Sequence, residues 1–256
     1  MKDPVKDNIK DKHEKSEDKI VNSIGNISKL STGTGALDIL LKGGYESDVI
    51  TTIYGPAGSG KTNLCLLAMI STIKNGKKAI FIDTEGGFSI ERLSQLTPAY
   101  KEILDNVLLF KPTNFEEQKK LFEKIRDLAN DKIGLIIVDT ISMLYRLELG
   151  KNEEIPQVNR DLGLQFSYLT EIARKKNIPV LLTTQVYSSF DEREKINLVG
   201  GDIVKYGSKC LIELQKYHSN KRAAILRKHR SLPESEPILF EIKQEGIFEV
   251  KDKKNN

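Results

Sequence analysis

The stretch Gly55-Pro-Ala-Gly-Ser-Gly-Lys61-Thr62 decides the fold of this chain. It matches the phosphate-binding pattern G-x-x-x-x-G-K-[ST] at every fixed position. A β-rich run, Val49 to Tyr54, precedes it, and a helical run, Asn63 to Ile73, follows it. The glycines let backbone N–H groups converge on a phosphate at the positive end of a helix. The sequence therefore predicts a strand–loop–helix unit that binds a nucleoside triphosphate.

Two side chains of this loop have predicted roles of their own. Lys61 is expected to reach the β- and γ-phosphates, and the hydroxyl of Thr62 to bind Mg²⁺. The full set of predicted nucleotide-binding residues in and after the loop is Gly55, Pro56, Ala57, Gly58, Ser59, Gly60, Lys61, Thr62 and Asn63.

An acidic residue is expected beside this loop. In Leu135-Ile-Ile-Val-Asp139, an apolar run ends in a carboxylate. A buried strand would deliver Asp139 to the C-terminal edge of a sheet next to the loop, where it can hold Mg²⁺ with Thr62 or through water. Apolar strands often end in Asp, so the preceding loop motif gives this pattern its meaning. The sequence predicts Thr62 and Asp139 as the metal residues.

Two further strand ends carry polar groups suited to hydrolysis. Glu85 follows Phe81-Ile-Asp83-Thr84, and a carboxylate there can polarise a water in line with the γ-phosphate. The alternative role for Glu85 is to cap the helix that begins near Ser89. Gln185 ends the run Leu182-Thr-Thr-Gln185, where an amide can contact the γ-phosphate and report its presence to the next loop.

Composition fits one large α/β domain rather than a membrane or disulfide-rich protein. The 256 residues are 39% hydrophobic and 30% charged, and no apolar run approaches the roughly 18 residues of a membrane span. The charged N-terminus has no apolar segment of the secretory type, so we expect a cytoplasmic location and no membrane partner. Cys65 and Cys210 are isolated, which favours buried thiols, and the histidines have no metal-ligand spacing.

Positive charge is concentrated near the C-terminus. The net charge is only +4, but six cations lie between two distant acids, Glu213 and Glu234. A local basic patch on a nearly neutral chain suits a polyanion, although a solvated strand face would look the same. This set, which we call the basic strip, comprises Lys216, Lys221, Arg222, Arg227, Lys228 and Arg230.

Strand and helix patterns alternate between two charged tails. We expect a disordered charged tail at 1–22, a core at 23–250 and a C-terminal tail at 251–256, because the tails lack apolar residues to bury. Within the core, apolar strands alternate with helices, which indicates a mostly parallel sheet covered on both faces. The close-spaced strands after Lys209 predict an antiparallel extension. The predicted strands are Val49–Tyr54, Ala79–Asp83, Val107–Phe110, Leu135–Asp139, Val180–Gln185, Lys209–Tyr217, Arg222–Arg227 and Ile238–Ile242, and the helices are Lys61–Lys74, Ser89–Asp105, Asn114–Ala129 and Gln157–Lys176.

Several stretches together resemble the RecA superfamily over about 29–250. They are Leu30-Ser-Thr-Gly33 with Ala36-Leu-Asp38, Ile82-Asp-Thr-Glu85-Gly86 with Glu91-Arg92, Met143-Leu-Tyr-Arg146 and Thr184-Gln185-Val186. Within the superfamily the chain is most similar to the RadA/RadB recombinases. Glu85-Gly-Gly-Phe88 and the absence of a helix-hairpin-helix domain favour the archaeal RadB branch.

This resemblance implies a RecA-like P-loop NTPase core with ATP and Mg²⁺ as cofactors. It implies that Glu85 activates water, that Gln185 senses the γ-phosphate and that Arg92 packs on the adenine. It also implies two DNA-binding loops, at about 148–157 and 187–199. The residues expected to contact DNA there are Arg146, Lys151, Tyr187, Phe190, Arg193 and Lys195, with Arg222 and Arg227 from the basic strip.

Two departures from the family pattern bear on assembly. No Phe-x-x-Ala segment, by which recombinases of this branch polymerise, occurs in the chain, which argues against filaments. Lys228-His-Arg230 resembles the Lys-x-Arg element that related ATPases insert into a neighbour's active site. Alternate residues of a strand share a face, so the two cations would point together, either to a neighbour's nucleotide or to DNA.

The resemblance implies an ATP-dependent DNA-binding protein of homologous recombination and DNA repair. It would be an accessory or regulator of the main recombinase, with weak ATPase activity. The implied partners are single-stranded or branched DNA, a RadA-like recombinase and a Holliday-junction nuclease, with a homo-oligomer as a further assembly. A nucleotide-gated adaptor without significant turnover and a KaiC-like signalling ATPase are the alternatives.

Overall fold

The computed structural model describes residues 28–151, 155–188, 196–217 and 220–250, so the predicted tails lie outside it. The strands in these ranges are β1 (Lys29–Leu30), β2 (Tyr45–Glu46), β3 (Ile50–Tyr54), β4 (Lys78–Asp83), β5 (Val107–Phe110), β6 (Ile133–Asp139), β7 (Val180–Thr184), β8 (Val186–Ser188), β9 (Ile196–Leu198), β10 (Cys210–Lys216), β11 (Lys221–Lys228), β12 (Ile238–Lys243) and β13 (Gly246–Glu249).

Helices separate the parallel strands, as the alternating pattern predicts. They are α1 (Gly35–Leu40), α2 (Lys61–Lys74), α3 (Ile90–Leu96), α4 (Tyr100–Asp105), α5 (Phe115–Leu128), α6 (Met143–Leu149), α7 (Ile155–Lys176) and α8 (Gly201–Gly207). Among the helices of the described ranges, none combines the length and the hydropathy that crossing a bilayer requires.

One nine-stranded sheet organises the core, in the order β13-β12-β11-β10-β3-β7-β6-β4-β5. The six strands from β10 to β5 are mutually parallel, and β11, β12 and β13 continue the sheet antiparallel. This arrangement confirms the predicted RecA-like α/β fold with an antiparallel C-terminal extension.

Two hydrophobic clusters cover the two faces of the sheet, because its central strands are buried on both sides. On one face, α1 and α2 pack on alternate strand residues such as Ile53 and Phe81. On the other, Phe122 of α5 and Leu169 of α7 pack on residues such as Ile80. The sheet is thus a rigid platform for the loops at its edges.

A single helix predicted over Ser89–Asp105 is wrong, because the structure has two helices there. Helix α3 ends at Leu96, and α4 begins at Tyr100. Pro98 explains the break, since a proline disfavours helical backbone in the residue before it. Thr97 accordingly is extended, with φ −157° and ψ 133°.

The register of the parallel strands brings their C-terminal ends to one edge. Asp83 at the end of β4 lies beside Asp139 at the end of β6, and Tyr54 at the end of β3 lies beside Thr184 of β7. The loop at 55–60 leaves β3 at this edge. Polar residues that are far apart in sequence therefore meet beside the phosphate-binding motif.

Candidate nucleotide-binding site

The predicted phosphate-binding loop joins β3 directly to α2, and close packing requires its glycines. Gly60, immediately before α2, has φ +109°, and a Cβ there would lie 2.8 Å from Ile242 Cδ1. A Cβ on Gly55 would lie 2.4 Å from the carbonyl oxygen of Leu214. The loop is thus held between α2 and the neighbouring strands β10 and β12.

The loop contains polar groups that suit a phosphate. The hydroxyl of Ser59 is fully buried and has no hydrogen-bond partner among the described residues. The Lys61 ammonium is buried and donates to the carbonyl oxygens of Gly55 at 2.9 Å and Pro56 at 3.1 Å. Burial lowers the pKa of Lys61, although the nearby Asp139 and Glu85 carboxylates oppose this shift. An unpaired hydroxyl and a desolvated cation are the groups that a bound phosphate would satisfy.

The predicted metal residues are in contact. Thr62 Oγ1 donates to Asp139 Oδ2 at 2.7 Å, and the Thr183 hydroxyl donates to the other carboxylate oxygen. Burial raises the pKa of Asp139, and these two hydrogen bonds oppose the shift. In the described ranges no group of three or more His, Cys, Asp or Glu residues could hold a metal. One carboxylate with a neighbouring hydroxyl fits Mg²⁺, which binds through one or two carboxylates together with substrate phosphates.

Glu85 joins three strand ends at the same edge. Its Oε1 accepts hydrogen bonds from Gln185 Nε2 at 2.9 Å and from Thr140 Oγ1 at 3.0 Å. Helix α3 is capped by Ser89, whose hydroxyl accepts from the Arg92 amide at 3.1 Å, so the alternative role of Glu85 as its cap is not seen. The structure thus brings together the residues predicted for water activation and γ-phosphate sensing.

Arg92 lies on α3 and contacts both the start of α2 and the β12–β13 turn. Its Nε donates to Asn63 Oδ1 at 2.6 Å, and its terminal nitrogens donate to the carbonyl oxygens of Lys243 at 2.9 Å and Gln244 at 2.8 Å. A further bond joins it to Gln95. These bonds fix the guanidinium plane beside the start of α2. Its predicted packing on adenine stays a prediction.

The first predicted DNA loop is shorter than expected, because α7 already begins at Ile155. Arg146 lies on α6 and Lys151 follows it, both exposed. A cavity of about 490 Å³ opens beside them, lined by Tyr145, Arg146, Leu149, Asn159, Leu198 and Ile203 among others. Leu149 and Leu198, which belong to the described parts of the two predicted loops, thus line a common groove at α6 and β9.

The second predicted DNA loop begins and ends in a hairpin of β8 and β9. The backbone of Tyr187 lies in β8. Phe190, Arg193 and Lys195 lie outside the described residues. Their predicted contacts with DNA stay predictions.

The basic strip is not one uniform face. Arg227 Nε donates to the buried Glu213 carboxylate at 2.6 Å. Lys228 Nζ donates to the carbonyl oxygens of Lys205 and Ser208, each at 2.8 Å. Much of the strip's charge is therefore already engaged by the chain itself.

Lys228 and Arg230 do not share a strand face, so that expectation was wrong. Strand β11 ends at Lys228, and Arg230 lies beyond it. Arg230 pairs with Glu46 Oε2 at 2.6 Å and with Asp48 Oδ1 at 2.8 Å. Both acids belong to the segment entering β3, at the end of that strand away from the phosphate-binding loop.

Sequence reasoning missed the residues that position the site. Thr140 and Thr183 bind Glu85 and Asp139. Asp83 accepts hydrogen bonds from the amides of Gly87 at 3.0 Å and Phe88 at 3.1 Å, and thereby shapes the loop that carries Glu85. Their signal was the presence of polar residues at the ends of apolar strands.

Comparisons with known proteins agree with this architecture. The sequence model of the Rad51 family matches residues 24–250. The DNA repair and recombination protein RadB of Methanococcus maripaludis strain C7 is 46% identical over 213 residues, covering 82% of this chain and 96% of that protein. Its namesake in Methanobrevibacter smithii is 39% identical over 227 residues, covering 86% of this chain and 95% of that protein. A crystal structure of the RadB recombinase has a TM-score of 0.74 and 36% identity, covering 87% of this chain and 100% of that one.

Proposed function

The chain belongs to the Rad51 family, and within that family it groups with the archaeal RadB proteins of DNA repair and recombination. We propose that it is a weak, DNA-dependent ATPase. It acts in homologous recombination as an accessory or regulator of the main recombinase. One observation supports the ATPase proposal above the others: Lys61, the Thr62–Asp139 pair and the Glu85–Gln185 pair converge on one sheet edge.

Each residue of this edge has a role that its contacts support. Lys61 leaves the carbonyl oxygens of the loop and binds the β- and γ-phosphates. Thr62 and Asp139 would hold Mg²⁺, which would neutralise charge on the phosphates. Glu85 polarises the attacking water, and Gln185 binds the γ-phosphate end. The hydrogen bond between Gln185 and Glu85 lets the same amide report the nucleotide state to β8.

The groove at α6 and β9 is the proposed site for single-stranded or branched DNA. Arg146, which lines it, would neutralise a backbone phosphate there. Lys151, Tyr187, Arg193 and Lys195 are proposed as further DNA contacts. The proposed protein partners are a RadA-like recombinase and a Holliday-junction nuclease. The names of the relatives support a role in DNA repair and recombination, and the choice of partners rests on the resemblance to the RadA/RadB recombinases.

A homo-oligomer would give Lys228 and Arg230 a role as cations supplied to a neighbour's active site. Such a role requires both to leave their partners in the chain. The bond between Gln185 and Glu85 and the engagement of these cations also favour a second candidate, a nucleotide-gated adaptor. In that function, nucleotide binding changes the conformation of the β8–β9 hairpin, and ATP turnover has no role.

Turnover with and without single-stranded DNA separates the two functions. We expect DNA to stimulate ATP hydrolysis by the unsubstituted chain, and Glu85→Gln to lower turnover by about 10²-fold while keeping ATP binding. Glu91→Gln, an exposed change in the first turn of α3, is the matched control. A low rate that DNA does not change would favour the adaptor. Undiminished hydrolysis in Glu85→Gln would contradict the role of Glu85.

A further inference from the structure

Two cations of the basic strip lie against the outer side of the phosphate-binding loop. Lys216 and Arg222 face each other in the β10–β11 ladder. Arg222 Nε donates to the carbonyl oxygen of Gly58 at 3.3 Å. A Cβ on Gly58 would lie 3.2 Å from Lys216 Nζ. Both side chains therefore meet the same residue at the tip of the loop.

These two cations differ from others in the strip in what surrounds them. Arg227 and Arg230 pair with acids, whereas neither Lys216 nor Arg222 forms an ion pair within the described ranges. The charge of Lys216 is also close enough to contribute to lowering the pKa of Lys61. Lys216 and Arg222 thus add positive charge beside the loop to that of Lys61, and neither is neutralised by an ion pair in the part of the chain that the structure describes. A bound triphosphate would relieve that repulsion.

The contact with Gly58 acts on a peptide group that can otherwise rotate. Gly58 has φ +71°, and glycine moves between backbone regions at little cost. Arg222 holds the carbonyl oxygen of the Gly58–Ser59 peptide, and the N–H of the same peptide donates to the Pro56 carbonyl oxygen at 3.2 Å. The peptide plane is thereby held from both sides, and a hydrogen bond from a charged donor is stronger than a neutral one.

We propose that Lys216 and Arg222 are positioning residues of the nucleotide site. Arg222 holds the loop in its phosphate-binding shape from outside, and Lys216 adds positive potential at the phosphates. Nothing in this role requires either side chain to touch the nucleotide. The proposal rests on the proposed ATP site, and it assigns Arg222 to the nucleotide rather than to DNA.

The test is calorimetric binding of Mg·ATP to single variants of the full chain. We expect Arg222→Ala to raise Kd by about three- to tenfold, the scale of one typical hydrogen bond. Lys216→Ala should raise Kd by a smaller factor, because the exposed Lys216 contributes only its charge. Arg222→Lys should fail to restore affinity, because an ammonium does not reproduce the geometry of the guanidinium Nε. Arg174→Ala removes the same charge from the exposed end of α7 and should leave Kd unchanged.

Two further readouts separate this role from general stability and from DNA binding. The unfolding midpoint without nucleotide should be equal in Arg222→Ala and Arg174→Ala, and so should affinity for a single-stranded oligonucleotide. Unchanged ATP affinity with weakened oligonucleotide binding in Arg222→Ala would overturn the proposal and make this part of the strip a DNA-binding surface. Absence of Mg·ATP binding by the unsubstituted chain would instead overturn the ATP site itself.

Discussion

Arg230→Ala should destabilise the folded chain, because Arg230 is the counter-charge of a buried acid. The Glu46 side chain is 3% exposed, and the guanidinium contacts it at 2.6 Å. After the substitution, Glu46 still accepts a hydrogen bond from the Ser231 hydroxyl at 2.8 Å. His229, which carries a positive charge when protonated, also lies near this acid, with its Nε2 3.7 Å from Glu46 Oε1. Burial lowers the pKa of His229, so its ring is a poor replacement cation at neutral pH.

The size of the effect follows from the burial of the pair. Removing one partner of a fully buried ion pair costs about 3–5 kcal/mol. Arg230 is 29% exposed, so water can partly replace it, and we expect a loss of about 2–3 kcal/mol in the free energy of unfolding. For a chain of this size that loss lowers the melting temperature by roughly 4–12 °C.

Urea unfolding at neutral pH measures this loss directly. Arg160→Ala, an exposed change on α7, is the control for removing an arginine. Glu46→Gln combined with Arg230→Ala should recover part of the loss, because a neutral amide needs no counter-charge. Equal unfolding midpoints for Arg230→Ala and Arg160→Ala would refute the structural role of Arg230.

The same pair predicts the pH dependence of the effect. Burial raises the pKa of Glu46, but hydrogen bonds from Ser231 and Arg230 outweigh it, and the pKa lies below its ordinary value of 4.5. A lowered folded-state pKa stabilises the fold above the unfolded-state pKa, and that contribution is lost as pH falls through the folded value. The stability difference between the unsubstituted chain and Arg230→Ala should therefore shrink as pH falls below about 4.5. A difference that is constant with pH would contradict the pairing.

Three other predictions concern DNA binding, the hydrogen bonds of Arg92 and assembly. Arg146→Ala should weaken binding to single-stranded DNA and reduce the salt slope by about 0.7 in a fluorescence-anisotropy titration; an equal effect of Lys124→Ala, an exposed change on α5, would contradict it. Arg92→Lys should lower the free energy of unfolding by about 1–2 kcal/mol in urea, because the ammonium cannot make the same set of hydrogen bonds; an unchanged midpoint would show that they contribute nothing. The proposed trans role predicts that mixing Lys228→Ala subunits with Glu85→Gln subunits restores ATP turnover. If no turnover is recovered, Lys228 does not act in the active site of a neighbouring subunit.

The phosphate-binding edge was predictable because its signal is local. A fixed pattern at 55–62 names the loop, and each apolar strand shows in sequence where it ends. Asp139, Glu85 and Gln185 all follow such runs. Parallel strands then bring their ends to one edge without further information. The same reasoning could have included Thr140 and Thr183.

The partners of the basic strip were not predictable in this way. Arg230 and Glu46 are 184 positions apart. A run of cations in a sequence indicates positive charge, but it does not indicate which acids will pair with those cations in the folded chain. The end of β11 at Lys228 also separates two side chains that an uninterrupted strand would have aligned. The break between α3 and α4 is a different case, because Pro98 signals it locally.

Calorimetric titration of Mg·ATP into the unsubstituted chain and into Lys61→Ala tests the central claim most directly. Lys61 is the only cation within 55–62, and its ammonium has only carbonyl oxygens as hydrogen-bond partners in the described structure. We expect saturable binding by the unsubstituted chain and loss of high-affinity binding in Lys61→Ala, with the unfolding midpoint little changed. Equal ATP affinity in the two proteins would contradict the assignment of this sheet edge as the nucleotide site.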